Sequence, residues 1–295
     1  MSESATRVVY QSASRKDCRE RGLVLQSADI DFEIIAQAGA FAIVVDARDE
    51  AQAVRQLRAY DSESLDWSDR PTSTPVLGDG WIGVFAYAII VIVVDMLCDR
   101  GAFGFDWFGS GKTQAGLIRG GQWWRTVTAL TLHADTGHLI GNVFFGGLFG
   151  LFVGQMLGSG LAWSAILVTG ALGNALNAWV QPDQHSSIGA STAIFGALGI
   201  LSACTWWQRR RIQGGWLRKW TPLVGGVVLL AYTGFGGERT DVIAHLAGFF
   251  SGVLLGGAYS VTDHRIILNV RFQVAVGIAV IGLIAVCWFF ALRSA

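Results

Sequence analysis

The chain has 295 residues, of which 52% are hydrophobic and only 15% charged, and its 22 basic and 22 acidic side chains cancel to a formal charge of zero. A soluble domain of this size needs more charge to cover its surface, so the composition points to membrane spans. With no basic field and no basic stripe interleaved with aromatics, nucleic acid is excluded as a partner.

The polar N-terminus MSESATRVVYQSASRKD has no apolar stretch and no cleavage site, and it is not read as a signal peptide. Residues 1–62 read as a small soluble α/β domain. Strands are expected at Arg7–Gln11, Asp31–Ala36 and Phe41–Val45, and helices at Lys16–Ser27 and Ala47–Tyr60. Acidic, Ser- and Pro-bearing residues then form a linker over 63–80. The four cysteines (Cys18, Cys98, Cys204 and Cys287) are scattered, with no CxxC pair and no metal or disulfide framework.

Seven apolar runs follow, near 81–98, 136–157, 161–180, 188–207, 220–236, 241–260 and 273–292, each close to the roughly 20 residues that span hydrocarbon. The Trp- and Gly-rich stretch Asp99–Asp135 is too polar to span, and Trp107, Trp123 and Trp124 in it read as an interfacial belt. The short segment Gln208–Lys219 carries Arg209, Arg210, Arg211, Arg218 and Lys219, which marks it as cytoplasmic by the positive-inside rule. Counting spans outward makes the N-terminal domain and the loop Asp263–Arg271 cytoplasmic. It also sets the amino ends of the second, fourth and sixth spans on the outer side.

Polar residues within spans are costly and usually functional. Here they collect in that outer layer. The fourth span opens SSIGASTAIFGALG with Ser191, the sixth opens DVIAHLAGFFSG with His245, and the second opens HADTGHLIGNVFF with His138 and Asn142. Singly, Ser191 could be a small packing residue, His245 a pore-lining one, and the His138/Asn142 pair interhelical glue. Jointly they supply a hydroxyl, an imidazole to take its proton, and donors for a developing oxyanion. Ala244, Gly248, Gly252 and Gly256 form a small-residue face on the sixth span, and Gly189, Ala193 and Ala197 another on the fourth. Two such faces allow close approach. Phe195, one turn after Ser191, could stack on His245 or fill core.

At these residues the chain resembles the rhomboid intramembrane serine proteases, over residues 80–260. The matching pieces are GQWWR (Gly121–Arg125), the H-x-x-x-N pair His138/Asn142, the G-x-S motif Gly189–Ser191, and AHLAG (Ala244–Gly248). The resemblance implies an α-helical polytopic membrane protein, a six-helix bundle over 81–260. Residues 261–295 add a cytoplasmic loop and an extra seventh helix. It implies a serine endopeptidase with Ser191 as nucleophile and His245 as base, and no acidic third member. The Ser191 N–H, His138 and Asn142 would stabilise the oxyanion beside Gly189. Trp124, Arg125, Phe195 and Gly248 would support the site. No metal or organic cofactor is implied. The expected partners are the lipid bilayer and single-span membrane proteins, cut near the outer face of a plasma membrane, the bacterial inner membrane. The family commonly has glycine after the nucleophile. Here it is Thr192, which brings a β-branched side chain beside the oxyanion hole.

Other readings have weaker support. No HExxH string occurs for a zinc protease, and Asp95 is the one clear intramembrane carboxylate where an aspartyl protease needs two. A channel or transporter would show internal repeats and a polar path across the membrane. A haem or metal protein could use His133, His138, His185 and His245, but would leave Asn142 and Ser191 idle. A catalytically inactive rhomboid-fold protein that binds client helices is the nearest alternative, and retention of Ser191 and His245 argues against it.

Overall fold

The computed structural model of the chain describes residues 6–37, 40–68, 80–209, 216–234, 241–260 and 269–294, which fall into two compact units, Met1–Pro71 and Thr72–Ala295. In the first, strands β1 (Thr6–Ser12), β2 (Phe32–Gln37) and β3 (Ala40–Asp46) form an antiparallel sheet in the order β1-β3-β2, with helices α1 (Arg15–Ser27) and α2 (Glu50–Ser68). Alternation along β3 sends Ile43 and Val45 into one buried cluster with Cys18, Leu25, Ala53 and Leu57. Helix α2 starts three residues later than expected because the Asp46 carboxylate accepts from the Arg48 N–H (3.1 Å), closing a turn that delays the helix. It also runs on to Ser68, into the expected linker. Residues 61–68 contain neither glycine nor proline, and α1 anchors them through Arg21, whose guanidinium pairs with Asp61 at 2.8 Å. The rest of that linker up to 79 lies outside the described residues.

The second unit is helical: α3 (Trp81–Asp99), the short α4 (Trp107–Gly111), α5 (Ala115–Arg119) and α6 (Arg125–Thr128), then α7 (Thr136–Leu157), α8 (Ser159–Val180), α9 (Ser191–Arg209), α10 (Trp216–Gly234), α11 (Val242–Tyr259) and α12 (Val270–Arg293). Five of these, α3, α7, α8, α11 and α12, are long and apolar enough to cross a membrane. The other two expected runs also form helices. α9 opens on Ser191 and Thr192 and closes on Trp206–Arg209, which lowers its apolarity. It is enclosed by α7, α8, α10 and α11, with residues 192–200 all buried, so little of it needs to face lipid. Residues 210–215 of the basic segment 208–219, and the loop 261–268, lie outside the described residues.

The tightest packing is between α9 and α11. A Cβ on Gly252 would lie 2.0 Å from the Gly196 carbonyl oxygen, one on Gly248 2.2 Å from the Thr192 oxygen, and one on Gly256 2.8 Å from the Ile200 oxygen. In return, a Cβ on Gly199 would meet the Phe249 oxygen at 2.2 Å. Only glycine permits this approach. The face of α9 that meets α11 is therefore Thr192, Gly196 and Gly199, not the expected Gly189, Ala193 and Ala197. Ala193 and Ala197 instead join Ala162, Ala165 and Ile166 of α8 in the main core.

The 100–135 connection is packed rather than loose. Trp107 is buried, donates its indole N–H to the Ala102 carbonyl (2.9 Å) and lies 5.0 Å from Trp288 of α12. Trp124 stacks on Phe290 at 5.5 Å. Of the expected interfacial belt only Trp123, 49% exposed, stands open. The other two find partners in a helix more than 150 residues further on. At its other end α12 is fixed by Gln273, which donates to the Leu157 carbonyl (2.8 Å) and accepts from the Leu161 N–H (2.9 Å) across the α7–α8 turn.

The α9–α11 contact yields a first prediction. Gly252→Ala places a methyl against the Gly196 carbonyl with no flexible side chain to yield. Overpacking of this kind costs about 1–3 kcal/mol. Thermal unfolding in detergent should show the loss, whereas Gly257→Ala on the open side of the same helix, where a Cβ meets nothing, should leave stability within about 0.5 kcal/mol.

Candidate active site

Ser191 is the first residue of α9 and His245 lies in the first turn of α11. The His245 Nε2 is 2.8 Å from the Ser191 Oγ, within hydrogen-bond reach of a nucleophile and its base. Each side chain is aimed by its local backbone. The chain enters α9 through Gly189, whose φ of +116° is one that side-chain-bearing residues rarely adopt, and whose N–H donates to the Ala129 carbonyl at 2.9 Å. α11 is capped by Asp241, whose Oδ1 accepts from the Ala244 N–H at 3.2 Å. The ring of Phe195 lies 4.5 Å from that of His245, tilted at 41°, and His245 itself is buried.

His138 and Asn142 lie one turn apart on α7, whose N-terminus is capped by Asp135 accepting from the His138 N–H (2.8 Å). The Asn142 amide donates to the His138 carbonyl (3.0 Å), and Tyr87 of α3 donates its hydroxyl to the Asn142 carbonyl (2.9 Å). Both side chains face Gly189: a Cβ there would lie 2.7 Å from the His138 ring and 3.6 Å from the Asn142 amide nitrogen. The His138 Nδ1 accepts from the Ala134 N–H at 3.4 Å, so the neutral ring carries its proton on Nε2, one of the two ring atoms nearest Gly189. Ser191, His245, His138, Asn142 and Gly189 all line one open cavity of about 1060 Å³.

Arg125 lies behind that cavity. It is buried, and its guanidinium donates to the Gln122 side chain (2.6 Å) and to the carbonyls of Gly109 (3.0 Å) and Lys112 (2.8 Å), holding α4 and α6 together. The next stretch pairs with the α8–α9 loop like a short strand, with the N–H groups of Thr113, Ala115 and Gly116 donating to the carbonyls of Ser187, His185 and Asp183 at 3.0–3.1 Å. Arg119 extends the seam by pairing with Asp183 and donating to the Ala178 and Gln181 carbonyls.

Thr192 is among the residues lining the cavity, but its methyl packs between α8 and α11, where a Cβ on Gly173 would lie 2.5 Å from it and one on Gly248 3.1 Å. Glycines on the two neighbouring helices make its room. Four polar residues around the cavity were not singled out for this site from the sequence. The Asn174 amide donates to the Thr126 carbonyl (2.9 Å), and the Asn177 amide donates to the Asp241 Oδ2 (2.5 Å), which also lies 2.8 Å from the His185 Nε2. The available signal was an asparagine pair at i, i+3 in an otherwise apolar helix, and an aspartate at the N-cap four residues before His245.

His133 lies against this group, its ring 5.2 Å from His138 and edge-on to it. Neither of its ring nitrogens has a hydrogen-bond partner among the described residues, and burial, reinforced by His138, pulls its pKa down to about 4. The folded state therefore refuses a proton that the unfolded chain takes up near 6.5, so stability is lost as pH falls from about 6.5 to about 4. Melting temperatures in detergent between pH 7 and pH 5 should fall, and His133→Leu, which removes the titrating ring, should flatten that fall.

A family model described as the rhomboid domain matches residues 120–262. This begins later than the expected 80–260 and leaves α3 and α12 outside it. The chain is 32% identical over 143 residues to rhomboid-like protein 11, chloroplastic, of Arabidopsis thaliana, covering 45% of this chain and 51% of that protein. It is 33% identical over 147 residues to rhomboid-like protease 1 of Toxoplasma gondii (49% and 50%) and 30% identical over 151 residues to rhomboid protease GluP of Bacillus subtilis (50% and 28%). It thus spans about half the length, or less, of these curated relatives. The matched segment contains Trp124, Arg125, His138, Asn142, Gly189, Ser191 and His245, and residues 120–262 of this multi-pass membrane protein are thus a segment similar to the rhomboid domain.

Proposed function

We propose that the protein is an intramembrane serine endopeptidase that cuts membrane-protein substrates through Ser191 and His245. The observation that carries this reading is the 2.8 Å contact between the Ser191 hydroxyl and the His245 Nε2 on the wall of an open cavity. Several of the matched relatives have names that describe them as proteases, which supports the same chemistry here. The neutral imidazole of His245 takes the Ser191 proton as Oγ attacks the scissile carbonyl, and returns it to the leaving amine. Water then enters along the same path and releases the acyl group.

The carbonyl oxygen gains charge during attack and needs donors already in place. The first N–H groups of α9, which have no acceptor within their own helix, supply one set, and the Ser191 N–H is among them. The Nε2–H of His138 and the second amide hydrogen of Asn142 supply the other. Gly189 keeps the space between them open. Phe195 and Gly248 hold the His245 ring and the α9–α11 spacing, and Trp124 and Arg125 hold the wall behind. No metal or cofactor enters this scheme. The substrates are single-span helices able to unwind at the cavity. The charge of the 208–219 segment, at the opposite end of α9 from Ser191, supports a plasma-membrane orientation with the cavity toward the outer side.

A fluorophosphonate should label Ser191 and lose that label in Ser191→Ala. Both Ser191→Ala and His245→Ala should abolish cleavage of a transmembrane substrate while folding normally. Labelling that survives Ser191→Ala, or a mutant that still cuts, would remove the dyad and favour a client-binding protein without activity. Asn142→Ala should lower turnover about 10²–10³-fold with a smaller change in affinity, because its bond tightens only as the oxygen gains charge. A fall in affinity at preserved turnover would make Asn142 a packing or binding residue.

For orientation, a single cysteine near Gly109 in a cysteine-free chain should react with an impermeant maleimide in intact cells. One near Arg211 should react only after the membrane is opened. The reverse pattern would turn the cavity to the cytoplasmic side.

A further inference from the structure

Asp241 joins three segments around the cavity through one carboxylate. Its Oδ1 caps α11 at Ala244, and its Oδ2 accepts from the Asn177 amide near the end of α8 (2.5 Å) and lies 2.8 Å from the His185 Nε2 in the α8–α9 loop. Asp241 stands four residues before His245 and His185 six before Ser191. Asn177 is 2% exposed, and its amide oxygen has no partner among the described residues, so its orientation is spent on Asp241.

Resting on the reading of Ser191 and His245 as nucleophile and base, we propose that His185 and Asp241 are positioning residues that set the reach of the dyad. The glycine contacts fix α9 and α11 along their middles, whereas both reacting groups sit in first turns, where helices fray most readily. A tie between the segment leading into Ser191 and the cap of the helix carrying His245 removes that remaining freedom. The side chains of the pair are 29% and 11% exposed, at the cavity wall, and a pair with one open member adds little to stability. Its effect on rate is of another order, because a displacement of about 1 Å between reacting groups can cost about 10²-fold. The structure thus assigns the bridge a signature: a large change in turnover with a small change in stability.

The test uses the full chain in detergent with His185→Ala and His185→Gln, whose amide N–H can reach Asp241 from the same place. Turnover and KM on a transmembrane substrate, the rate of fluorophosphonate labelling at Ser191 and the melting temperature are read together. His185→Ala should lower turnover and labelling about 10²-fold with KM and melting temperature nearly unchanged, and His185→Gln should recover most of both rates. The proposal is overturned if His185→Ala labels and cuts at the unmodified rate. It is equally overturned if rate and melting temperature fall together without rescue by glutamine, which is a structural tie, or if only KM rises, which is substrate contact. If the unmodified protein takes no label at Ser191, the dyad itself fails and the bridge with it; normal labelling in both the unmodified protein and His185→Ala removes the bridge alone.

Discussion

The distance between α9 and α11 is the constraint on which the membrane unit depends. The Ser191 hydroxyl and the His245 imidazole meet at 2.8 Å across two helices whose backbones pack in close contact. The chain achieves this by facing backbone carbonyls on each helix with glycine Cα atoms on the other, at Gly196, Gly199, Gly248, Gly252 and Gly256. In lipid there is little hydrophobic gain from pressing one apolar helix against another, so van der Waals contact over such a seam is a principal attraction. The same feature that binds the helices therefore defines the chemistry available between them.

Around that seam the polar groups are arranged so that few carry a single duty. Asp135 caps α7 and thereby fixes the backbone from which His138 projects; Asp241 caps α11 and reaches two other segments; Asn174 ties α8 to the turn after Arg125. Burial makes unpaired polar groups expensive. A wall built from groups that satisfy one another can then be rigid without bulk, and the cavity keeps its width. His133 and the Asn177 amide oxygen depart from this, with no hydrogen-bond partner among the described residues, and burial keeps the His133 ring neutral.

Much of this was legible in the sequence, because membrane spans and intramembrane polar residues are strong local signals. The apolar runs located the helices, and Ser191, His245, His138 and Asn142 stood out as polar residues in them. What escaped was long-range. The row Ala193/Ala197 and the row Gly196/Gly199 are both made of small residues on one helix, and periodicity alone does not say which turns to α11 and which to α8. Trp107 and Trp124 have the composition of an interfacial belt until Trp288 and Phe290 arrive from the last helix. The His185–Asp241–Asn177 cluster comes from three separate stretches, none of which carries a pattern by itself. The α2 extension was missed because an acidic, serine-rich stretch resembles a linker until its anchor on α1 is known.

Thr192 follows the candidate nucleophile where the family commonly has glycine, and its methyl occupies the gap left by Gly173 on α8 and Gly248 on α11. These three positions form a single volume shared among three helices. Restoring glycine at 192 alone would open a void at the junction, and enlarging either partner alone would drive the helices apart. A change at any one of these positions therefore alters the space open to the other two, so the residue after the serine takes part in packing two helices remote from it in sequence.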